Sequence, residues 1–180
     1  MAERSTDDRL PKAFQEPLEC KDPHSSLVQV SFDVNQMLNT FFALRECAPS
    51  PSNTGYTAYL ESCLLHVRNL LEFFDGTLNM WKITVLDFVP GDRSLDVIQA
   101  QHFILVRDVI DQYLVAGNGL RTRDCSLQIH AIIGAAVVAL ADAFKSFVEQ
   151  LPAGSVETKC LENSTRVALE KLKTVEDFKE

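Results

Sequence analysis

Residues 60–74, LESCLLHVRNLLEFF, form the stretch that decides the fold of this chain. Its apolar residues recur at intervals of three and four, which places them on one broad face of an α-helix. These apolar residues are Leu60, Cys63, Leu64, Val67, Leu70, Leu71 and Phe74. Because such a face must be buried against other elements, the stretch predicts a central helix that carries three polar residues: His66, Arg68 and Asn69.

The same helical periodicity occurs on both sides of this stretch. It predicts helices over about residues 26–47, 53–75, 94–115, 124–151 and, at the C-terminal end, from about 164 onward. Asn53 or Thr54 is expected to cap the second helix. Between the second and third helices, around residues 78–90, the pattern favours a short irregular or extended segment, strand-like over 81–89. The fold class predicted is therefore all-α, a single bundle of about five helices.

Three regions of different composition suggest how the chain is organised. Residues 1–25 carry mixed charges and three prolines with little periodicity, which is typical of a flexible N-terminal arm. Residues 26–152 contain the helical bundle domain. Residues 153–180 carry a sparser apolar stripe among many charges, which predicts a C-terminal helix or tail that frays or docks on a partner subunit.

Composition lowers the expectation for several classes of protein. A net charge of −8 gives no general attraction to nucleic acid or anionic lipid. The five cysteines are scattered, without the spacing of zinc ligands or of a disulfide framework. The polar start has no signal-peptide core, and the apolar run at 131–141 is too short to cross a membrane. The expectation is a cytoplasmic protein with no metal, no cofactor and no membrane contact.

The segment LLHVRNLLEFF, followed by Asp87-Phe88 before a Pro-Gly turn and then by two helices, resembles a known group. The group consists of small, uncharacterised microbial helical proteins related to the HEPN superfamily. The resemblance covers about residues 27–151, and its most specific part is the His-x-Arg-Asn segment. It implies a helical bundle that forms a homodimer. Many HEPN domains are also ribonucleases of toxin or defence systems, with an Arg-x(4–6)-His motif at the start of a late helix.

Arg123 and His130 match that ribonuclease motif at its outer permitted spacing. A histidine that titrates near neutral pH can act as general acid or base in attack by an RNA 2′-hydroxyl, while an arginine stabilises charge on the phosphate. The alternative is structural: Arg123 is a solvated residue of the loop before the helix, and His130 flanks the core. On the first interpretation the chain is a metal-independent endoribonuclease.

A second set of candidates is centred on His66. A polar pocket between helices two and three, containing His66, Asn69 and His102 with Arg68 nearby, is expected to bind a small anionic or nucleotide-like ligand. His66 and Arg68 point about 200° apart on one helix, so they cannot form a catalytic pair by themselves. On the structural interpretation Arg68 pairs with Glu72 or Glu61 along its own helix, and His66 makes one hydrogen bond inside the bundle.

Three functions remain open from the sequence. The leading interpretation is a non-catalytic binding or interaction protein, HEPN-like and homodimeric, with RNA, a nucleotide-like ligand or another protein as its partner. The first alternative is the endoribonuclease that uses Arg123 and His130. The second is a structural subunit whose fourth or C-terminal helix docks another protein.

Overall fold

A computed structural model describes residues 23–47, 53–74, 83–89, 101–116 and 123–155, together with residues 158, 159, 161, 166, 167 and 170. Within these residues the protein is all-α and contains no strand. The four α-helices are α1 (Pro23–Glu46), α2 (Thr54–Phe74), α3 (Gln101–Ala116) and α4 (Arg123–Gln150). They pack as a helical bundle, which confirms the predicted all-α class, and the described residues contain four α-helices where about five were expected. None of these helices combines the length and apolarity needed to cross a lipid bilayer.

Local sequence signals explain where α1 and α2 begin. Pro23 opens α1, where its fixed φ suits the first helical turn and its missing N–H is not needed. Asn53 caps α2, because its Oδ1 accepts hydrogen bonds from the backbone N–H groups of Gly55 at 3.0 Å and Tyr56 at 3.3 Å. The predicted second helix and its cap are confirmed.

Helices α1 and α2 form an antiparallel hairpin and make the most extensive helix contact in the described structure. Two contacts show the opposite directions of the helices. Asp33 meets His66, whereas Met37, which is later in α1, meets Cys63, which is earlier in α2. The carbonyl of Met37 accepts a long hydrogen bond from the Cys63 thiol at 3.8 Å. One face of this hairpin contributes apolar side chains to the core. Among those fully covered are Leu27, Val34, Met37, Leu38, Leu60, Leu64, Val67 and Phe74.

Helices α3 and α4 close the core on the other side, and an aromatic cluster joins α4 to the hairpin. Phe147 of α4 lies at the centre of this cluster, with its ring 5.6 Å from Phe73, 6.2 Å from Phe74 and 6.1 Å from Phe88. The rings meet edge to face, the arrangement that aromatic quadrupoles favour. Phe88 therefore packs on the core.

The strand-like piece expected at residues 81–89 is not formed where the structure describes it, from 83 to 89. Val85–Asp87 is instead a short 3₁₀-helix. The Asp87 carboxylate accepts a hydrogen bond from the Thr84 backbone N–H at 2.7 Å, and the Phe88 N–H donates to the Val85 carbonyl at 3.1 Å. These local hydrogen bonds satisfy backbone groups without a partner strand. This explains why the apolar run forms a tight helical turn and does not adopt a strand conformation.

Two other predicted boundaries differ from the structure. Helix one was expected from about residue 26, but α1 begins at Pro23. Helix four was expected to start at Asp124 or Ser126, but α4 already includes Arg123. The described part of helix three begins at Gln101, and the predicted residues 94–100 lie outside the described residues.

After α4 the chain turns back onto the core. Gly154 adopts a positive φ of 78°, and Thr158 is held by Ser155 and by the Pro152 carbonyl, to which its hydroxyl donates at 2.7 Å. Leu161 is fully buried in the core. Residues 158, 159, 161, 166, 167 and 170 are helical, but the bounds of the expected fifth helix lie outside the described residues. Of the arm expected at 1–25, residues 23–25 belong instead to α1, and residues 1–22 lie outside the described residues.

Candidate functional site

A buried polar cluster lies in the middle of the α1–α2 hairpin, around the carboxylate of Asp33. Nδ1 of His66 is 2.7 Å from Oδ1 of Asp33, and the Nδ2 amide of Asn69 donates to the same oxygen at 3.2 Å. The side-chain amide of Gln29 donates to the other carboxylate oxygen at 3.3 Å. Asp33 is 5% exposed and His66 is 9% exposed. Three hydrogen-bond donors therefore compensate the loss of hydration of one buried carboxylate.

This geometry orients the imidazole of His66. An ionised carboxylate can only accept hydrogen bonds, so Nδ1 carries the proton that points at Asp33. The other ring nitrogen, Nε2, receives no hydrogen bond from any residue that the structure describes. A carboxylate bound to Nδ1 in this way sets the tautomer and leaves Nε2 available for an external contact.

An exposed aromatic ring lies against the histidine. Phe32 of α1 meets the His66 ring edge-on, with the ring centroids 5.7 Å apart. Although Phe32 is 49% exposed, this contact and the adjacent fixed imidazole restrict its position. A large apolar side chain that is half-exposed but held in place is typical of an anchor in a protein interface.

Phe32 belongs to a surface that we call the hairpin face, formed by Gln29, Phe32 and Gln36 of α1 and by Ser62, Leu65 and Asn69 of α2. Each set follows helical spacing on the side of its helix turned away from the core. Leu65 is 46% exposed, close to the value of Phe32. None of the six side chains carries a charge, and the Asp33–His66 pair lies beneath them. The hairpin face is thus formed by six uncharged residues, two of them large and apolar. It is bordered on α2 by the partly exposed Glu61, Arg68 and Glu72, which lie four, three and seven residues from Leu65.

Arg68 lies on the other side of α2. Its Nε is 3.1 Å from Oδ1 of Asp111 on α3 and 3.6 Å from Oε1 of Glu72, one turn further along α2. The Arg68 and Asp111 side chains are each more than one third exposed, so solvent screens the attraction, although Nε and Oδ1 themselves are buried and are not aligned for a hydrogen bond. Arg68 links α2 to α3, and the pairing with Glu72 that the structural interpretation expected is present beside it.

The structure does not bring the predicted ligand-binding residues into one pocket. His66 and Asn69 share the Asp33 carboxylate on the α1 side of α2, whereas Arg68 faces α3. The location expected from the sequence, between helices two and three, is therefore wrong for His66 and Asn69. The side chain of His102, on α3, lies outside the described residues.

Sequence reasoning missed Asp33, Phe32 and Gln29. A signal for Asp33 was present, since it is the one charged residue in the sequence between Ser25 and Leu44. An isolated carboxylate at the edge of a strongly apolar stripe indicates a buried partner. The identity of that partner could not be read in the same way, because His66 is 33 residues further along the chain.

Arg123 and His130 both belong to α4. They are seven residues apart, which amounts to about 700° of rotation, so their backbone positions lie on the same side of the helix. The alternative placement of Arg123 in a loop before the helix is wrong. The side chains of both residues lie outside the described part of the structure.

Within the described part of the chain, the remaining chemistry-bearing groups give no further site. Burial raises the pKa of the Cys63 thiol to about 12, against a smaller opposite effect of the Thr40 side chain, so the thiol stays protonated near neutral pH. Among the described residues, no group of three or more His, Cys, Asp or Glu side chains could hold a metal ion.

Comparisons of the chain with protein-family models, with curated proteins and with solved structures give no match. The HEPN resemblance therefore stays a prediction. Function can be inferred only from the geometry of the described side chains.

Proposed function

We propose that the protein is a non-catalytic interaction protein, a HEPN-like bundle with a fifth, C-terminal helix, that binds a protein partner through the hairpin face. The observation that carries this proposal is the pair formed by Phe32 and His66. An aromatic ring that is 49% exposed is held edge-on against an imidazole whose orientation a buried carboxylate determines. A restrained aromatic side chain loses little conformational entropy when a partner covers it, which favours binding.

The charges around the hairpin face favour a protein partner over an anionic ligand. The ionisable groups of the cluster are His66 and Asp33, and Arg68, which borders the hairpin face on α2, is paired with Asp111 and Glu72. The buried carboxylate repels phosphate, and the whole chain carries a net charge of −8. The anionic or nucleotide-like ligand expected from the sequence would thus meet an unfavourable potential here. A surface of uncharged residues, two of them large and apolar, instead fits the apolar core of a protein interface.

His66 supplies a polar contact at the centre of this surface. With Nδ1–H directed at Asp33, Nε2 can accept a hydrogen bond from a partner N–H or O–H group, or donate one when the ring is protonated. Phe32, whose ring centroid lies 5.7 Å from that of His66, would exclude water from that contact once a partner is bound.

Site-specific photo-crosslinking tests the proposal. A photoreactive amino acid is incorporated at position 65 or, as a matched control, at position 167, because Leu65 is 46% and Val167 is 52% exposed. We expect one discrete adduct with another protein chain from position 65, and its loss when Phe32→Glu is added. Adducts from position 167 alone would favour the structural-subunit alternative, and no adduct at position 65 would refute binding through the hairpin face.

A second function, metal-independent endoribonuclease, is favoured by the extent of α4. Because Arg123 already belongs to this helix, it lies two turns before His130 on the same side, which suits joint contact with one phosphate. Purified protein is incubated with mixed RNA in EDTA beside folded Arg123→Ala and His130→Ala variants. Cleavage that both substitutions abolish would establish the ribonuclease, whereas no cleavage by the wild-type protein would refute it.

A further inference from the structure

We infer that pH regulates binding through the hairpin face: the surface holds its protein partner while His66 is neutral and releases it when the imidazole gains a second proton. This inference rests on the proposed function, since it describes how that same surface is regulated. It depends on three observations: the occupied Nδ1 atom of His66, its open Nε2 atom, and the Phe32 ring beside the imidazole.

The second proton can be gained only at Nε2. Nδ1 already carries a proton, which is directed at Oδ1 of Asp33 over a distance of 2.7 Å. Nε2 has no hydrogen-bond partner among the described residues, yet it is not one of their buried unpartnered atoms, which are Nε of Arg68 and Oδ1 of Asp111. Water therefore reaches Nε2, although His66 as a whole is only 9% exposed. A proton from solvent can enter there while the contact with Asp33 stays intact.

Asp33 is the nearest charge to this imidazole. It is the one charged residue of the sequence between positions 25 and 44, so the middle of α1 brings no second charge to His66. On the same side of α2, the titratable groups are Cys63 and Tyr59, three and seven residues before His66. Burial raises the pKa of the Cys63 thiol to about 12, so this thiol carries no charge near neutral pH.

The other described charges act on His66 from further away. Glu61, Arg68 and Glu72 border the hairpin face at other positions around α2, and the guanidinium of Arg68 is paired on the side that faces α3. No charged side chain of α3 or α4 in the described part of the chain forms an ion pair with His66. The charge at this surface is therefore set by the imidazole and Asp33 together.

A partner that covers the surface affects the two protonation states differently. The exposed Phe32 ring has its centroid 5.7 Å from that of the imidazole, so a partner that packs on Phe32 also excludes water from Nε2. Loss of hydration costs little for a neutral nitrogen that accepts a hydrogen bond from the partner. A protonated Nε2 is a charged N–H group, and removing water from it costs considerably more. The partner therefore binds the neutral state more tightly.

Asp33 does not cancel this difference. Its carboxylate is 5% exposed and bonded to Nδ1 before any partner arrives, so its attraction for a protonated ring is present in the free and in the bound protein. A partner carboxylate could accept a hydrogen bond from protonated Nε2, but it would approach both the Asp33 carboxylate and a chain of net charge −8. The partner chemistry that fits Nε2 is therefore an N–H or O–H donor.

Photo-crosslinking from position 65 in a cell extract measures the release. Irradiation is carried out at about pH 7.5 and about pH 5.5, which span the ordinary titration of histidine side chains. One proton changes affinity by at most about tenfold per pH unit, and we expect the yield of the protein adduct to fall at least about fivefold at the lower pH. The yield should recover when the extract is returned to the higher pH. Circular dichroism of the purified chain at both pH values confirms that it stays folded.

Two variants assign the effect to His66. His24→Gln, His102→Gln and His130→Gln are combined in one chain, which leaves His66 as its only histidine, and the fall in yield should persist. His66→Asn places an amide N–H near the position of Nδ1, where it can still donate to Asp33, but the amide takes up no proton. The adduct yield of this variant should be the same at both pH values.

Nitrogen NMR spectroscopy of the isotope-labelled protein follows His66 directly, without a partner. We expect Nδ1 to stay protonated throughout and Nε2 to gain its proton between the two pH values. The signals of the Phe32 ring should shift along the same curve, because the two rings are in contact.

Four results would overturn the inference. They are a His66 imidazole that keeps one protonation state between the two pH values, an adduct yield that is unchanged or higher at about pH 5.5, a fall that the combined histidine variant loses, and a fall that persists in His66→Asn. Each of these leaves the proposed function standing as long as the adduct forms at about pH 7.5. No adduct at either pH value refutes the proposed function, and the inference with it.

Discussion

The two sides of α2 place their polar residues in opposite environments. On the side that meets α1, His66 is nearly buried and shares the Asp33 carboxylate with Asn69 and Gln29. On the side that meets α3, two residues further along, Arg68 pairs with Asp111 and Glu72 where solvent still reaches all three side chains. Neighbouring polar residues of one motif therefore have unrelated roles in this protein. The neighbouring helix, rather than the motif, decides what each residue does.

The largest expected effect follows from removing the carboxylate on the buried side. Asp33→Ala leaves His66 and Asn69 buried without their acceptor, and we expect the free energy of unfolding to fall by about 3 kcal/mol. Urea denaturation measures this change. Asp111→Ala, which removes the carboxylate on the exposed side, is the control and should have a much smaller effect. Equal losses in the two variants would contradict the difference between the two sides.

The α1-facing side of α2 also makes the stability of the protein depend on pH. Cys63 lies on this side, and burial raises its pKa from 9.0 to about 12. Below about pH 9 the thiol is protonated in both states and its contribution to stability is fully present. Between about pH 9 and 12 the unfolded chain loses the proton while the folded chain retains it. Stability is therefore lost in this range, by at most about 1.4 kcal/mol per pH unit.

Thermal unfolding of wild-type and Cys63→Ala proteins between neutral and alkaline pH tests this effect. The variant should be less stable at neutral pH because a buried side chain is shortened, but its stability should fall less steeply above about pH 9. Burial also raises the pKa of Tyr56, which leaves some alkaline loss in both proteins. Parallel curves for the two proteins would contradict the assignment to Cys63.

A smaller effect is expected from the exposed side of α2. Arg68→Ala removes both ion pairs, and because these side chains remain accessible to solvent we expect a loss of less than about 1 kcal/mol. The difference from wild type should shrink further in high salt, which screens exposed charges. Chemical denaturation at two concentrations of sodium chloride, with urea as the denaturant, measures both values. A loss as large as that of Asp33→Ala would show that Arg68 is structurally central.

The smallest effect on the fold is expected at Phe32. Since half of this side chain is already exposed, Phe32→Ser should change the unfolding free energy of the isolated chain by only about 0.5 kcal/mol. Unfolding is measured at the lowest practical protein concentration, where association does not contribute to stability. A loss of several kcal/mol would indicate that Phe32 belongs to the core and would remove the basis for an exposed anchor.

Most of the fold could be predicted from local signals. The three- and four-residue spacing identified the central helix and its inward residues, because helix geometry alone determines which positions share a face. The Asn53 cap was predictable for the same reason, since it involves residues adjacent in sequence. The 3₁₀-helix at Val85–Asp87 was missed, because a short apolar run looks alike in a strand and in a tight helical turn.

The candidate site was only half predictable. His66 and Asn69 stood out as polar residues within an apolar stripe, but their position around the helix did not reveal which neighbour they would meet. The prediction of a pocket beside helix three was wrong for His66 and Asn69. Both residues lie on the edge of α2 that faces α1, and not on the edge that faces α3.

By itself, then, the sequence determined the all-α class, the length of the central helices and the residues that turn inward, because hydrophobic periodicity is a local property of the chain. Only the tertiary structure decided that Asp33 meets His66, that Arg68 turns to Asp111, and that Phe32 lies against the His66 ring. Each of these pairings joins positions far apart in sequence. They form only when whole helices pack in one particular order and rotation, which the burial of the common apolar core selects.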